Sequence, residues 1–155
     1  MSKIKVRLLL TRELGRLAKW LRILGLDTVY FKEQNVSSLI IEALRQERII
    51  ITRNHHLPRS CGARIVVINA ERLNAQLAEV LKRLQIKPVS DMMFTRCTLC
   101  NEPLTAIQKE NAKDKVPAYV FAAQERFFAC PQCSRIYWQG SHWGNVREIL
   151  NKINS

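Results

Sequence analysis

Residues 5–10 (KVRLLL) end in an unbroken apolar run, and from Arg12 onward the spacing changes, with Leu14, Leu17, Leu21 and Leu24 recurring every three or four positions. The first pattern predicts a short strand buried on both faces, the second an amphipathic helix over 12–24. At about 100° per residue Arg12, Arg16, Lys19 and Arg22 fall on the side of that helix away from the leucines. Gly25 supplies a helix stop, and residues 28–31 (TVYF) form a second strand. Ser37 or Ser38 is expected to cap a helix running to about residue 47, with Leu39, Ile40, Ala43 and Leu44 facing inward. A third strand follows at 48–52 (RIIIT), a polar loop at 53–62, and a fourth strand at 63–69 (ARIVVIN). A helix over 71–84 then buries Leu73, Leu77, Val80 and Leu84, and Pro88 bars its continuation. Helices alternating with continuous apolar strands predict a three-layer α/β domain with a parallel sheet over residues 1–90.

Beyond residue 90 this alternation stops. Cysteines, aromatics and short β-like stretches at 119–121, 127–129 and 136–138 take its place. Cys97 and Cys100 form one CxxC pair, Cys130 and Cys133 a second, with 29 residues between the pairs. Two such knuckles supply four thiolates for a tetrahedral ion at Zn–S distances of about 2.3 Å, so residues 91–155 read as a zinc ribbon with structural Zn²⁺. The long separation implies an extended hairpin. A redox role would use one pair and leave the other idle. His142 is not needed as a ligand once four thiolates are present, and reads as a surface or aromatic-cluster residue within reach of RNA. Cys61 stands alone in a Pro/Ser/Gly loop and is assigned no role.

Charge narrows the choice of partner. The chain has 155 residues, with 25 Lys and Arg against 13 Asp and Glu, a formal net charge of +12. Residues 1–90 carry 17 basic and 7 acidic side chains, while residues 91–155 carry 8 and 6. Four zinc-bound thiolates lower the total only to about +10. Such an excess suits a polyanion, and the footprint belongs to the first ninety residues. The row Arg12, Arg16, Lys19 and Arg22, joined by Arg53 after the third strand, lies where open α/β sheets bind ligands, and a phosphate is suited to that edge. Gly15 permits a close approach to the helix. An odd cysteine count argues against a secreted disulfide framework, and no apolar run reaches the length of a membrane span. A cytoplasmic protein is the expectation.

Several stretches resemble a known family. Residues 8–27 (LLLTRELGRLAKWLRILGLD), 49–54 (IIITRN), 96–101 (RCTLCN) and 137–143 (YWQGSHW) are similar to the Mut7-C family of PIN-like ribonucleases with a carboxyl-terminal zinc ribbon. The resemblance spans nearly the whole chain, with the motifs in the family's order. It implies a PIN-like fold, a metal-dependent RNase ancestry and RNA as the substrate class. It also implies an Asp at the end of the first strand, another at the start of the second helix and a third after the third strand. Here those positions are Thr11, Val36 and Asn54.

Mg²⁺ and Mn²⁺ are hard ions that need anionic oxygen ligands, and metal-assisted hydrolysis needs the ion to activate water. With these three carboxylates missing, the expected function is RNA binding, within a ribonucleoprotein, by a catalytically degenerate member. One alternative is an active metal-dependent endoribonuclease with relocated ligands, Glu13 being the candidate, while Asp27, Glu33 and Glu42 suggest no cluster. A metal-free acid/base scheme would use His55 and His56. The remaining alternative is a protein-interaction module with an acidic partner.

Overall fold

In a computed structural model, residues 5–59, 61–140 and 142–154 are described, except for the side chains of 142–144, so the reading of His142 as an RNA contact lies outside the described side chains. The chain begins β1 (Arg7–Leu10), a 3₁₀ turn (Arg12–Leu14), α1 (Gly15–Ile23) and β2 (Asp27–Tyr30). It continues α2 (Val36–Arg45), β3 (Ile49–Thr52), β4 (Ile65–Val67) and α3 (Leu73–Arg83). The four strands form one parallel sheet in the order β2-β1-β3-β4. Because successive strand residues point to opposite faces, Leu8 and Leu10 pack with α1 and α3 while Leu9 and Ile50 pack with Leu39 and Ala43 of α2. That is the three-layer arrangement read from the apolar runs.

Two local readings of α2 are corrected. The cap is Asn35, whose Oδ1 accepts the Ser38 N–H at 3.0 Å, so the helix starts before either serine. Leu44 is 47% exposed, because the buried stripe of α2 runs through Leu39 and Ala43.

The ribbon is a three-stranded antiparallel sheet of β5 (Thr105–Ile107), β6 (Phe127–Ala129) and β7 (Ile136–Tyr137). Phe127, Val120 and Ala112 form its small core. The long spacer between the cysteine pairs holds the antiparallel pair β5 and β6, but its length lies in the connection between them rather than in extended strands. It contains a 3₁₀ turn and α4 (Ala118–Ala123), so residues 119–121 are helical. Pro117, at φ −57°, enters that helix with its torsion already set, and three alanines favour it.

The carboxyl-terminal helix α5 (His142–Asn154) does not stay with the ribbon. Val146 is buried in the same core as Leu17, Leu21 and Leu77, and Ile149, Leu150 and Ile153 lean on it. The connection passes tightly under α1, where the Phe94 N–H donates to the Ile23 carbonyl at 2.8 Å. Gly25 has φ +88°, and a Cβ there would lie 2.0 Å from the Met92 carbonyl oxygen, so only glycine fits both the turn and the crossing chain. The cores of the α/β part and the ribbon are thus distinct, but the chain beyond residue 90 contributes to both. Among the described residues no helix is long and apolar enough to cross a membrane.

Candidate functional site

The four cysteines converge as their spacing predicts. Cys97 and Cys130 are buried, and the Sγ atoms of Cys97, Cys100, Cys130 and Cys133 all lie within 4.8 Å of one another. Each knuckle is closed by a left-handed residue, Asn101 (φ +68°) and Ser134 (φ +63°), whose N–H donates to the Cys97 or Cys130 carbonyl at 2.9 Å. Cys97 and Cys133 Sγ are 3.7 Å apart. Two thiolates on a tetrahedral ion at about 2.3 Å are separated by about 3.8 Å, so the donor set fits a metal ion and is consistent with a zinc ribbon.

Burial raises the Cys97 thiol, but the Tyr137 hydroxyl at 3.0 Å and the knuckle N–H groups outweigh it and bring the pKa down to about 7. Burial and the neighbouring sulfurs push Cys100 up to about 12. The two cysteines of the first knuckle are thus driven apart in acidity, and a bound cation would draw both to the thiolate form.

A cleft of about 510 Å³ opens at the carboxyl edge of the parallel sheet. It lies where strand order reverses between β1 and β3, the position at which open α/β sheets bind ligands. Thr11 closes β1, Asn54 follows β3 and Val36 opens α2, and all three line this one cleft. Positions separated by more than forty residues are thus brought together, and none of the three carries a carboxylate.

Glu13 lines the same cleft, and its Oε1 accepts from Thr11 Oγ1 at 2.7 Å, the Arg53 N–H at 3.0 Å and Thr52 Oγ1 at 3.2 Å. Partial burial raises its pKa, but these donors outweigh that and hold it below the usual carboxylate range. The Asn54 side-chain oxygen accepts the His56 N–H at 2.9 Å and so closes a local turn. Glu33, which the sequence did not associate with Glu13, also borders the cleft. Gln34, Asn35 and Thr52 line it too, and no residue pattern had marked them. His55 and His56 are exposed in the loop and are not among the lining residues.

The basic row divides into three environments. Arg12 is exposed and lines the cleft. Its carbonyl accepts the Tyr30 hydroxyl at 2.5 Å, and the Tyr30 ring occupies the space beside Gly15, where a Cβ would be 3.3 Å away. Arg16 and Lys19 are exposed further along α1, outside the cleft lining. Arg53 is half-buried, with its Nε buried and lacking a hydrogen-bond partner.

Arg22 is the correction to that row. It is only 9% exposed, and its Nε donates to the Thr28 carbonyl at 2.8 Å while Nη1 reaches the carbonyls of Thr98 at 2.8 Å and Leu99 at 3.2 Å. Six positions past Arg16 it lies about 120° round the helix and faces the first cysteine knuckle. Beside it Asp27 Oδ1 accepts from Arg48 Nη1 at 2.8 Å and from Asn101 Nδ2 at 2.7 Å, while Asn101 Oδ1 accepts the Thr28 N–H at 2.9 Å. Asn101, the residue after the knuckle, thus joins the ribbon to the edge strand β2.

No curated protein and no solved structure matches the chain. A family model does match, that of the Mut7-C RNAse domain, over residues 6–150. Essentially the whole chain is covered, so the protein belongs to the Mut7-C RNAse domain family.

Proposed function

We propose that this chain binds RNA at the basic side of α1 and the sheet-edge cleft without cutting it, with the cysteine site holding structural Zn²⁺. The observation that carries this reading is the convergence of Thr11, Val36 and Asn54 on one cleft. A hydroxyl, an alkyl group and an amide stand where metal-dependent hydrolysis needs anionic oxygens. Among the described residues the four cysteines are the one group of three or more potential metal-ligating side chains. The cleft has two carboxylates, and one oxygen of Glu13 is already engaged by three donors. This donor set does not fit Mg²⁺ or Mn²⁺. Phosphate is better served, by Arg12, by the α2 N-terminus that Asn35 and Val36 bring to the cleft, and by the nearby Arg53. The positive excess of residues 1–90 suits a long polyanion, as a ribonucleoprotein would present.

A second reading, an active enzyme with relocated ligands, is favoured by one observation, the presence of Glu13 and Glu33 in the same cleft. The three donors on Glu13 weigh against it, because they make that carboxylate a brace between β1 and β3.

Titrating single-stranded RNA binding against salt tests the proposal. Each phosphate contact contributes about −0.7 to the log–log slope, so replacing Arg12, Arg16 and Lys19 by Gln should flatten it by about 2. An unchanged slope in the folded triple variant, or no binding at low salt, overturns the reading.

A further inference from the structure

A second groove of about 510 Å³ lies away from the cleft, where α1, the ribbon and α5 meet. Trp20 of α1 and Trp138 after β7 line it, together with Phe94 of the connecting segment, Asn145 of α5, and Arg16 and Lys19. Neither indole is a core residue. Trp20 leans on the α/β core and Trp138 on the ribbon core, where its ring centroid is 6.5 Å from that of Phe127 at a 59° tilt. Both are partly buried and keep some exposed surface. Each ring is therefore fixed from behind and presents aromatic surface to the groove without needing to reorganise.

Resting on the RNA-binding reading, we infer that this groove stacks unpaired nucleobases of the bound strand. Charge and shape select that ligand. Two tryptophans line one groove, and Arg16 and Lys19 put cations beside them, as a base with its attached phosphate requires. Arg12, in the 3₁₀ turn that leads into α1, lines the cleft, while Arg16 and Lys19 on α1 itself line the groove. One strand can thus pass from cleft to groove while remaining on cations. The volume lies within the range of about 300–1,000 Å³ typical of small-ligand sites. A duplex hides its base faces and gains nothing here.

The test uses the zinc-loaded protein and three fluorescein-labelled probes, an eight-residue oligouridylate, an abasic phosphoribose chain of equal length, and an eight-pair RNA duplex. One base stacked on an aromatic side chain is worth a factor of about 5 to 150 in affinity. The oligouridylate should bind about tenfold more tightly than the abasic chain, and Trp20→Leu or Trp138→Leu should abolish that difference while Trp138→Phe preserves it. Asn145 is exposed, so Asn145→Phe fills the groove without changing either core and should also abolish the difference, which keeps the test valid if a Leu variant fails to fold. Duplex affinity should be indifferent to all these changes. Equal binding of oligouridylate and abasic chain, or a base-dependent difference that survives Asn145→Phe and Trp138→Leu, overturns the groove while leaving RNA binding intact. Failure of every probe to bind at low salt overturns both.

Discussion

Arg22 holds the carbonyl oxygen of Thr98 at 2.8 Å, so a side chain from the last turn of α1 fastens the first cysteine knuckle to the parallel sheet. The same guanidinium bonds Thr28 on the edge strand, and three elements meet on one planar cation. Its fork geometry suits three carbonyls in a way that the single ammonium of lysine does not.

Replacing Arg22 by Met removes buried charge-assisted hydrogen bonds and leaves carbonyls unpaired, so a loss of about 2–4 kcal/mol is expected. Arg22→Lys should recover less than half of it. Urea unfolding followed by near-ultraviolet circular dichroism measures both. A loss below about 0.5 kcal/mol would show that the side chain behaves as a surface residue.

Metal removal should act locally first. The ribbon core comprises only Phe127, Val120, Ala112 and their partly buried neighbours, too little to hold three short strands unaided. Elemental analysis should find one zinc per chain, and chelation should collapse the signals of Phe127 and Trp138 while the sheet around Leu8, Leu10 and Ile51 persists. Retention of an ordered ribbon in the Cys97→Ser, Cys130→Ser double variant would contradict this.

The legible parts of the molecule are those in which a pattern and a packing demand coincide. The apolar runs ending at Leu10 and at Ile51 are buried on both faces, and so announce parallel strands. The paired cysteines announce their own convergence. What remained hidden depends on where distant segments land. The spacing of Arg12, Arg16, Lys19 and Arg22 sets the last at the margin of the row but does not announce its burial, which comes from Thr98 and Leu99, more than seventy residues away. Glu33 and Glu13 share a cleft only because β2 and β1 end at the same edge. The return of Val146 to the core of Leu17 and Leu77 has a visible signal in the apolar spacing of Val146, Ile149, Leu150 and Ile153, but the spacing does not say which core it serves.

Glu13 makes an acid-side prediction. Its hydrogen bonds hold the folded-state pKa below the usual carboxylate range, so the ionised form contributes stability above the unfolded-state pKa and the contribution is lost as pH falls through the folded pKa. The native protein should therefore lose melting temperature more steeply than Glu13→Gln between about pH 5 and pH 3. Near neutrality Glu13→Gln should be the less stable of the two, because an amide oxygen satisfies Thr11, Thr52 and Arg53 more weakly than a carboxylate. Parallel melting curves across the acid range would show that the carboxylate is not held by these donors.

Cleavage is the last expectation and the sharpest. With Thr11, Val36 and Asn54 at the cleft and Glu13 committed to three donors, the purified protein should not cut RNA measurably with Mg²⁺ or Mn²⁺. Thr11→Asp, Val36→Asp and Asn54→Asp together place three carboxylates in one cleft and should create weak Mn²⁺-dependent cutting. That gain is limited by a structural cost, since Thr11→Asp sets a new charge beside Glu13, whereas Asn54→Asp keeps an oxygen that accepts the His56 N–H. The controls separate the rival chemistries. Cleavage by the unmodified protein that co-elutes with it, is abolished by EDTA and disappears in Glu13→Gln would establish relocated ligands. Cleavage that survives EDTA but is lost in His55→Ala or His56→Ala would place the chemistry in the exposed loop and away from the cleft altogether.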